Sequence, residues 1–217
     1  LQDGQYASGI NIVARGGIAQ TRPGYTSYFT LPQGNLQGFT IFKPTGEEHQ
    51  MVFAIDGDIF FSPYPFDKYF KFKEIQFNPW SRQVIFKECP KFADINEQGI
   101  PFPLNTPKNV LMIQDGKSRA AVWDGGKPRH LNPLVNTQDT EVGGDLPIKG
   151  FNETPVGTWM EWAGNRLWVA RGNEVFASDY GNPTLFSEQK YIAEGRSFPM
   201  PEKITGMILP SGSTAND

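Results

Sequence analysis

Short apolar runs separated by turn residues make up much of the chain. LQGFTIF (36–42) and HQMVFAI (49–55) flank the polar turn KPTGEE, and DIFFSPYP (58–65) follows the dipeptide Asp56-Gly57. Asp-Gly favours a two-residue type I′ hairpin, because both central positions of that turn need positive φ. The stretch therefore predicts an antiparallel meander.

The same hairpin pattern recurs twice further along the chain. Each copy has an apolar run, a two-residue turn and a second run, and the turns are Asp56-Gly57, Asp115-Gly116 and Gly172-Asn173. Their spacings are 59 residues (115 − 56) and 57 residues (172 − 115). Strand-like segments precede the copies: GFTIF, VIFKE and TWMEWAG.

A repeat of about fifty to sixty residues with three or four antiparallel strands is typical of a propeller blade. Unrelated hairpins in a sandwich or barrel are the alternative. We predict an all-β fold, a β-propeller or partial propeller built from antiparallel meander blades, with an extended N-terminal arm. The arm is expected over 1–35, and three blades and the start of another, in KITGMILPSG (203–212), over 36–217.

Alternation in the third hairpin, LWVARGNEVFASD, predicts that both faces of its strands are apolar. Such strands suit a position between two neighbouring sheets. The two predicted faces are Leu167, Val169, Val175 and Ala177 on one side, and Trp168, Ala170 and Phe176 on the other.

Composition supports a globular chain without helices. Hydrophobic residues make up 38% of the 217 residues, and 23 Gly and 18 Pro are scattered in a way that suits many short strands. The 20 basic and 23 acidic residues give a net charge of −3, which argues against a general nucleic-acid-binding surface. No run approaches the ~18 apolar residues of a membrane helix, so no membrane-spanning segment is expected.

The ends of the chain and its cysteine content add less. The first residues show no signal-peptide pattern, so we expect no signal peptide there. It begins at Leu1 without a methionine, so we expect a processed or truncated piece of something longer. Cys89 is the single cysteine, which excludes an intrachain disulfide and a cysteine zinc cluster.

Catalytic motifs are scarce in the sequence. His49 and His130 lie beside predicted turns without a partner at metal-ligand spacing, and Asp56 and Asp58 do not continue as a calcium loop. We expect no enzyme activity, catalytic residue, cofactor or metal. A glycan-cleaving enzyme remains an alternative through a carboxylate pair. The candidate carboxylates are Asp115, Asp124, Asp145, Glu161 and Asp179.

Aromatic side chains crowd two stretches of the chain. If exposed, they would form a carbohydrate platform or an interface patch, and a carbohydrate- or receptor-binding propeller of a tail protein is the first alternative function, ahead of the glycan-cleaving enzyme. If buried, they fill the gaps between twisted sheets. The two groups are Tyr64, Phe66, Tyr69, Phe70 and Phe72, and Trp159, Trp162 and Trp168.

Two segments resemble a known family. GGIAQTRPGY (16–25) is similar to the early segment of phage tail tubular protein B, the nozzle of short-tailed phages, and GNRLWVARGNEVFASDYGNPTLF (164–186) resembles a propeller hairpin of such proteins. The two segments lie in the same order in that family. The motif and interface candidates are Gly16, Gly17, Arg22, Pro23, Gly24, Ser178, Gly181, Asn182, Pro183 and Phe186.

The resemblance implies a structural component of a tailed-phage virion, in the tail nozzle or hub or in the head-to-tail region. The protein would be made in the host cytoplasm and reside in the virion tail. It would form a homo-oligomeric ring, six-fold if nozzle-like, beside other tail and adaptor proteins. The ring would let double-stranded DNA pass without sequence-specific binding, as part of the ejection conduit.

Overall fold

The computed structural model describes residues 12–15, 18–21, 30–95, 101–131, 153–186 and 197–208, and the chain divides into two units, 1–30 and 31–217. In the first unit, β1 (Ile12–Arg15) and β2 (Ile18–Thr21) pair as a two-stranded antiparallel sheet. The segment predicted as an extended arm thus contains a hairpin in its described residues.

The second unit contains three antiparallel sheets of four strands, each strand pairing with the next in chain order, and its described residues include no helix. The all-β prediction is confirmed, and so are the meanders. No sheet closes on itself. The first sheet is β3 (Leu36–Phe42), β4 (Gln50–Ile55), β5 (Asp58–Pro63) and β6 (Phe70–Gln76). The second is β7 (Ile85–Ile95), β8 (Pro101–Gln114), β9 (Ala121–Trp123) and β10 (Arg129–His130). The third is β11 (Trp159–Ala163), β12 (Arg166–Arg171), β13 (Glu174–Ala177) and β14 (Ser197–Pro199).

Two of the three predicted hairpin turns are confirmed. Asp56 and Gly57 both have positive φ, 48° and 81°, as a type I′ turn requires. Gly172-Asn173 joins β12 to β13 directly, with φ of 63° at Gly172. The two-residue turn at Asp115-Gly116 is wrong, because β8 ends at Gln114 and β9 begins only at Ala121. That connection spans 115–120.

The predicted faces of the third hairpin are wrong in one respect. Its two-residue turn places Arg171 opposite Glu174, so Val169 lies opposite Phe176. Directly opposed residues share a face of the sheet. Phe176 therefore lies on the face of Val169, whereas Val175 and Ala177, opposite Ala170 and Trp168, lie on the other face.

Two hydrophobic cores separate the three sheets. On β8, Leu111 and Ile113 belong to the core shared with the first sheet, while Val110 and Met112 belong to the core shared with the third. The second sheet is thus covered on both of its faces. The predicted start of a fourth blade is not seen in the part of it that the structure describes, since 203–208 forms no strand and 209–212 lies outside the described residues.

Candidate functional site

The second family-like motif forms a compact turn directly after β13. Ser178 is fully buried, and its hydroxyl accepts a hydrogen bond from the Leu167 N–H at 2.8 Å and donates to the Asp179 carbonyl at 3.1 Å. The Ser178 N–H donates to the Leu167 carbonyl at 2.8 Å. The serine therefore fixes the end of the β12–β13 hairpin to the chain that leaves it.

Asn182 organises the tip of this turn. Its side-chain oxygen accepts hydrogen bonds from the Thr184 N–H at 3.1 Å and the Thr184 hydroxyl at 2.8 Å, and its own N–H donates to the Asp179 carbonyl. Asn favours such turns because its short side chain bonds the backbone two residues on. Gly181 has φ of 69°, a conformation that side chains disfavour.

The turn also joins the third sheet to the second. The Gly181 carbonyl accepts hydrogen bonds from the N–H groups of Phe92 and Ala93 on β7, at 2.7 and 3.2 Å. A Cβ at Gly181 would lie 3.2 Å from the Phe92 Cβ, so a larger residue would press on the strand. We call the segment 178–186 the junction turn.

The rest of the motif points inward. The Pro183 carbonyl accepts a hydrogen bond from the Thr154 hydroxyl at 3.2 Å, and Phe186 packs in the core between the second and third sheets. The structure thus brings Ser178, Gly181, Asn182, Pro183 and Phe186 together, all buried within the chain. The other five candidates, Gly16, Gly17, Arg22, Pro23 and Gly24, lie outside the described residues.

Charged and thiol groups reinforce the contact between these two sheets. Lys87 on β7 forms an ion pair with Glu161 on β11, and both side chains are partly buried. Cys89 is fully buried in the same core, and burial raises the pKa of its thiol well above the usual range. A thiol held in this protonated state is a packing group and a poor nucleophile.

Asp115, one of the candidate carboxylates, accepts hydrogen bonds at both of its oxygens. Its Oδ1 accepts hydrogen bonds from the N–H groups of Lys117 and Ser118, and its Oδ2 from the N–H of Asn78 and the hydroxyls of Ser81 and Ser118. Burial works against ionisation, but these hydrogen bonds outweigh it and lower the pKa of Asp115. The carboxylate shapes the 115–120 loop, which is why this connection is not a two-residue turn.

The other candidate carboxylates are not gathered around Asp115. Asp124 accepts a hydrogen bond from the Gly126 N–H and lines a different cleft, and Glu161 is paired with Lys87. Asp179 follows Ser178 in the junction turn, and Asp145 lies outside the described residues. The described clefts therefore bring together no two of the five.

The histidines take separate positions. His130 on β10 has its Nε2 3.3 Å from the Gln76 N–H and its Nδ1 3.0 Å from the Arg119 carbonyl, so both ring nitrogens have partners if Nδ1 bears the proton. His49 is exposed and lies directly before β4. Over the described ranges, no three His, Cys, Asp or Glu side chains are placed to hold a metal ion.

The aromatic groups divide between core and surface. Phe72 and Trp162 are buried, whereas Tyr64 and Phe70 are exposed. Among the aromatic residues that the structure describes, Trp80 is the most exposed, with 85% of its surface accessible, and it belongs to neither predicted group. The preceding Asn78-Pro79 pair is a turn signal that could have predicted this exposure.

Comparisons with known proteins leave the family open. No family model matches the sequence, and neither the curated proteins nor the solved structures include a match. In the part of the chain that the structure describes, no helix is long and apolar enough to cross a membrane.

Proposed function

We propose that this protein is a structural component of a tailed-phage virion, in the tail nozzle or hub or in the head-to-tail region, and that its three sheets are successive blades of a propeller. It would be made in the host cytoplasm and reside in the virion tail. Its function would be geometric: to build a wall of the conduit through which double-stranded DNA leaves the capsid.

The observation that supports the proposal best is the junction turn. The residues that resemble the phage family build this turn: Ser178 and Asn182 fix its backbone, and the Gly181 carbonyl links it to β7 of the neighbouring sheet. A module that must pass load from blade to blade needs rigid links of this kind, and buried hydrogen-bonded networks supply rigidity.

An apolar end face supports assembly into a ring. Phe39 and Ile41 on edge strand β3 lie on the face opposite the first core, since their β4 partners are Phe53 and Met51. They are 68% and 53% exposed. Exposed apolar patches mark interaction sites, and an interface between unlike faces of identical subunits generates a ring when the rotation closes. The proposed partner of this face is a second copy of the chain, in a homo-oligomer that is six-fold if nozzle-like and that adjoins other tail and adaptor proteins.

Electron microscopy and virion association test the proposal. We expect negatively stained particles of the full protein, alone or with virion partners, to be rings. Phe39→Asp should reduce ring formation at least tenfold, while Lys73→Asp, an exposed residue of β6, should leave it unchanged. A protein that stays monomeric under all these conditions and never joins a virion assembly contradicts the proposal.

A further inference from the structure

The linker between the first and second sheets, 77–84, is held in place by hydrogen bonds to two polar side chains. The buried Gln37 side chain donates to the Ser81 carbonyl at 2.6 Å. Asp115 Oδ2 accepts hydrogen bonds from the Asn78 N–H and the Ser81 hydroxyl, both at 2.9 Å. The linker is therefore ordered before any ligand arrives, which lowers the entropy lost on binding.

The side chain of Trp80, on this ordered linker, is exposed to solvent. The Trp80 N–H donates to the Asn78 side chain at 2.8 Å, and the Trp80 carbonyl accepts a hydrogen bond from Lys117 Nζ at 3.2 Å. The backbone is thus fixed while the indole packs against almost nothing. A rigid, exposed Trp is a common anchor of binding surfaces.

A cleft of about 590 Å³ opens beside the same linker. Its volume lies within the usual range of small-molecule sites, about 300–1,000 Å³. It is bounded where β7 and β11 begin, with the segment 203–205 as a further wall. Its lining includes Arg82, Gln83, Asp115, Trp159, Lys203 and Thr205.

The polar groups of this cleft are free to meet a ligand. Within the described ranges, the side chains of Arg82 and Lys203 form no ion pair and no hydrogen bond, and the Trp159 indole N–H has no acceptor. In the described residues Asp115 forms no ion pair with either cation, and its oxygens accept five hydrogen bonds from other protein groups. Two cations against one carboxylate leave the lining with a formal charge of +1.

We propose that this cleft binds an acidic saccharide, a sugar that bears a carboxylate. The guanidinium of Arg82 matches a carboxylate with two parallel hydrogen bonds, and Lys203 adds a second positive charge. The negative face of an indole ring attracts polarised C–H groups such as those of a sugar ring. Trp159 belongs to the lining of the cleft, and Trp80 lies two residues before Arg82 on the linker. Gln83 and Thr205 supply amide and hydroxyl partners for sugar hydroxyls.

The charge of the site favours a single carboxylate over a nucleic acid. Tracking a phosphate backbone needs a run of cations with stacking aromatics, whereas this cleft holds two cations and the whole chain is net acidic, −3. The proposal is independent of the virion role, since a ring-forming protein and a monomer could each contain this cleft.

Fluorescence titration of the full protein tests the cleft, with glucuronate, galacturonate and N-acetylneuraminate oligosaccharides as probes. The matched controls are the same saccharides with the carboxyl group reduced, and a single-stranded oligonucleotide. We expect quenching or a shift of tryptophan emission with the acidic probes at millimolar concentration or below. Neutral counterparts should bind at least tenfold more weakly.

Variants locate the binding. Arg82→Ala and Lys203→Ala should each weaken binding of the acidic saccharide about tenfold. Arg82→Lys should have an affinity between those of Arg82→Ala and the original, because the two parallel hydrogen bonds of the guanidinium are lost but the positive charge is kept. The control variant Lys73→Ala, on β6, should bind as the original protein does. Because Trp80 is exposed, Trp80→Ala should fold normally and reduce the emission change. The proposal is overturned if no acidic probe binds, if neutral and acidic probes bind equally, if the oligonucleotide binds most tightly, or if Arg82→Ala binds as well as the original. None of these outcomes alters ring formation, which is scored separately.

Discussion

The two cores that flank the second sheet are filled in different ways. Between the first and second sheets, Trp123 lies within 5.5 Å of the rings of Phe42, Phe61 and Phe72, measured between centroids. Between the second and third sheets, the core is mainly aliphatic and sulfur-containing, with Cys89, Met112, Met160, Leu167 and Val169 among its members. The same meander is therefore compatible with two kinds of packing, and strand pairing, rather than side-chain type, defines the repeat.

The polar contacts at the two cores differ as well, although each has a buried glutamine. Gln37 accepts a hydrogen bond from the Gly57 N–H at 2.6 Å and donates to the Ser81 carbonyl. Gln114 accepts one from the Gly157 N–H at 2.7 Å, but its Nε2 has no hydrogen-bond partner in the described part of the chain. At the first core, the amide oxygen and nitrogen of Gln37 both have hydrogen-bond partners. At the second core, among the described residues, only the Gln114 oxygen has one, so the contact between the second and third sheets depends more on the junction turn.

The largest effect is expected where the aromatic core is emptied. Trp123→Ala should lower the free energy of unfolding by about 3–5 kcal/mol, because it leaves a cavity among three aromatic rings. Chemical denaturation followed by circular dichroism measures the loss. Trp80→Ala is the matched control, since this exposed indole should change stability by less than about 0.5 kcal/mol. Equal losses in the two variants would mean that Trp123 is not a packing centre.

The glutamines give the next largest difference. Gln37→Ala should cost about 2–3 kcal/mol, because it leaves both a buried N–H and a buried carbonyl without partners. Gln114→Ala should lower the free energy of unfolding by only about 1–2 kcal/mol. It leaves the Gly157 N–H without an acceptor, but it also removes the unpaired amide nitrogen of Gln114. Urea denaturation of both variants tests the order, and a larger loss at Gln114 would contradict the comparison.

Asp115 predicts a dependence on pH. A carboxyl group whose pKa is lowered in the folded state adds stability above its unfolded pKa of about 3.9, and this contribution is lost as the pH falls through the folded value. Asp115→Asn should therefore be about 1–2 kcal/mol less stable than the original at pH 7. The gap should narrow below about pH 4, because the original loses its advantage there.

Thermal unfolding of both proteins between pH 2.5 and 7 checks this expectation. Asp67→Asn, at an exposed carboxylate, serves as the control. A gap between Asp115→Asn and the original that stays constant over the whole range would show that the charge of Asp115 contributes nothing to stability.

Local signals in the sequence predicted the fold class and most of the strands. Period-two alternation and the Asp56-Gly57 dipeptide were enough for the first meander, because a type I′ turn depends on its own two residues. The two-residue turn predicted at Asp115-Gly116 is wrong, because five hydrogen bonds, including those from Asn78 and Ser81 of the linker, hold the Asp115 carboxylate in a wider loop. Contacts that distant in sequence leave no mark on the dipeptide.

The cleft could not be predicted for the same reason. Arg82, Trp159 and Lys203 are far apart along the chain and meet only once the sheets are stacked. The predicted face of Phe176 is wrong because simple alternation counts through the turn as if β12 and β13 were one continuous strand. A two-residue turn reverses that parity, so pairing Arg171 with Glu174 would have given the correct face.

The smallest expected effects are those of two ion pairs, one between the second and third sheets and one within the first sheet. Lys87–Glu161 links the second sheet to the third, with side chains 30% and 17% exposed, whereas Lys71–Asp58 lies within the first sheet at 48% and 25%. Double-mutant cycles with alanine should give a coupling of about 1 kcal/mol for the first pair and about 0.3 kcal/mol for the second, because solvent screens the more exposed charges. Raising the salt concentration to 1 M should remove most of the weaker coupling and less of the stronger. If both couplings were equal and equally sensitive to salt, the contact between the second and third sheets would depend on the junction turn and the hydrophobic core alone.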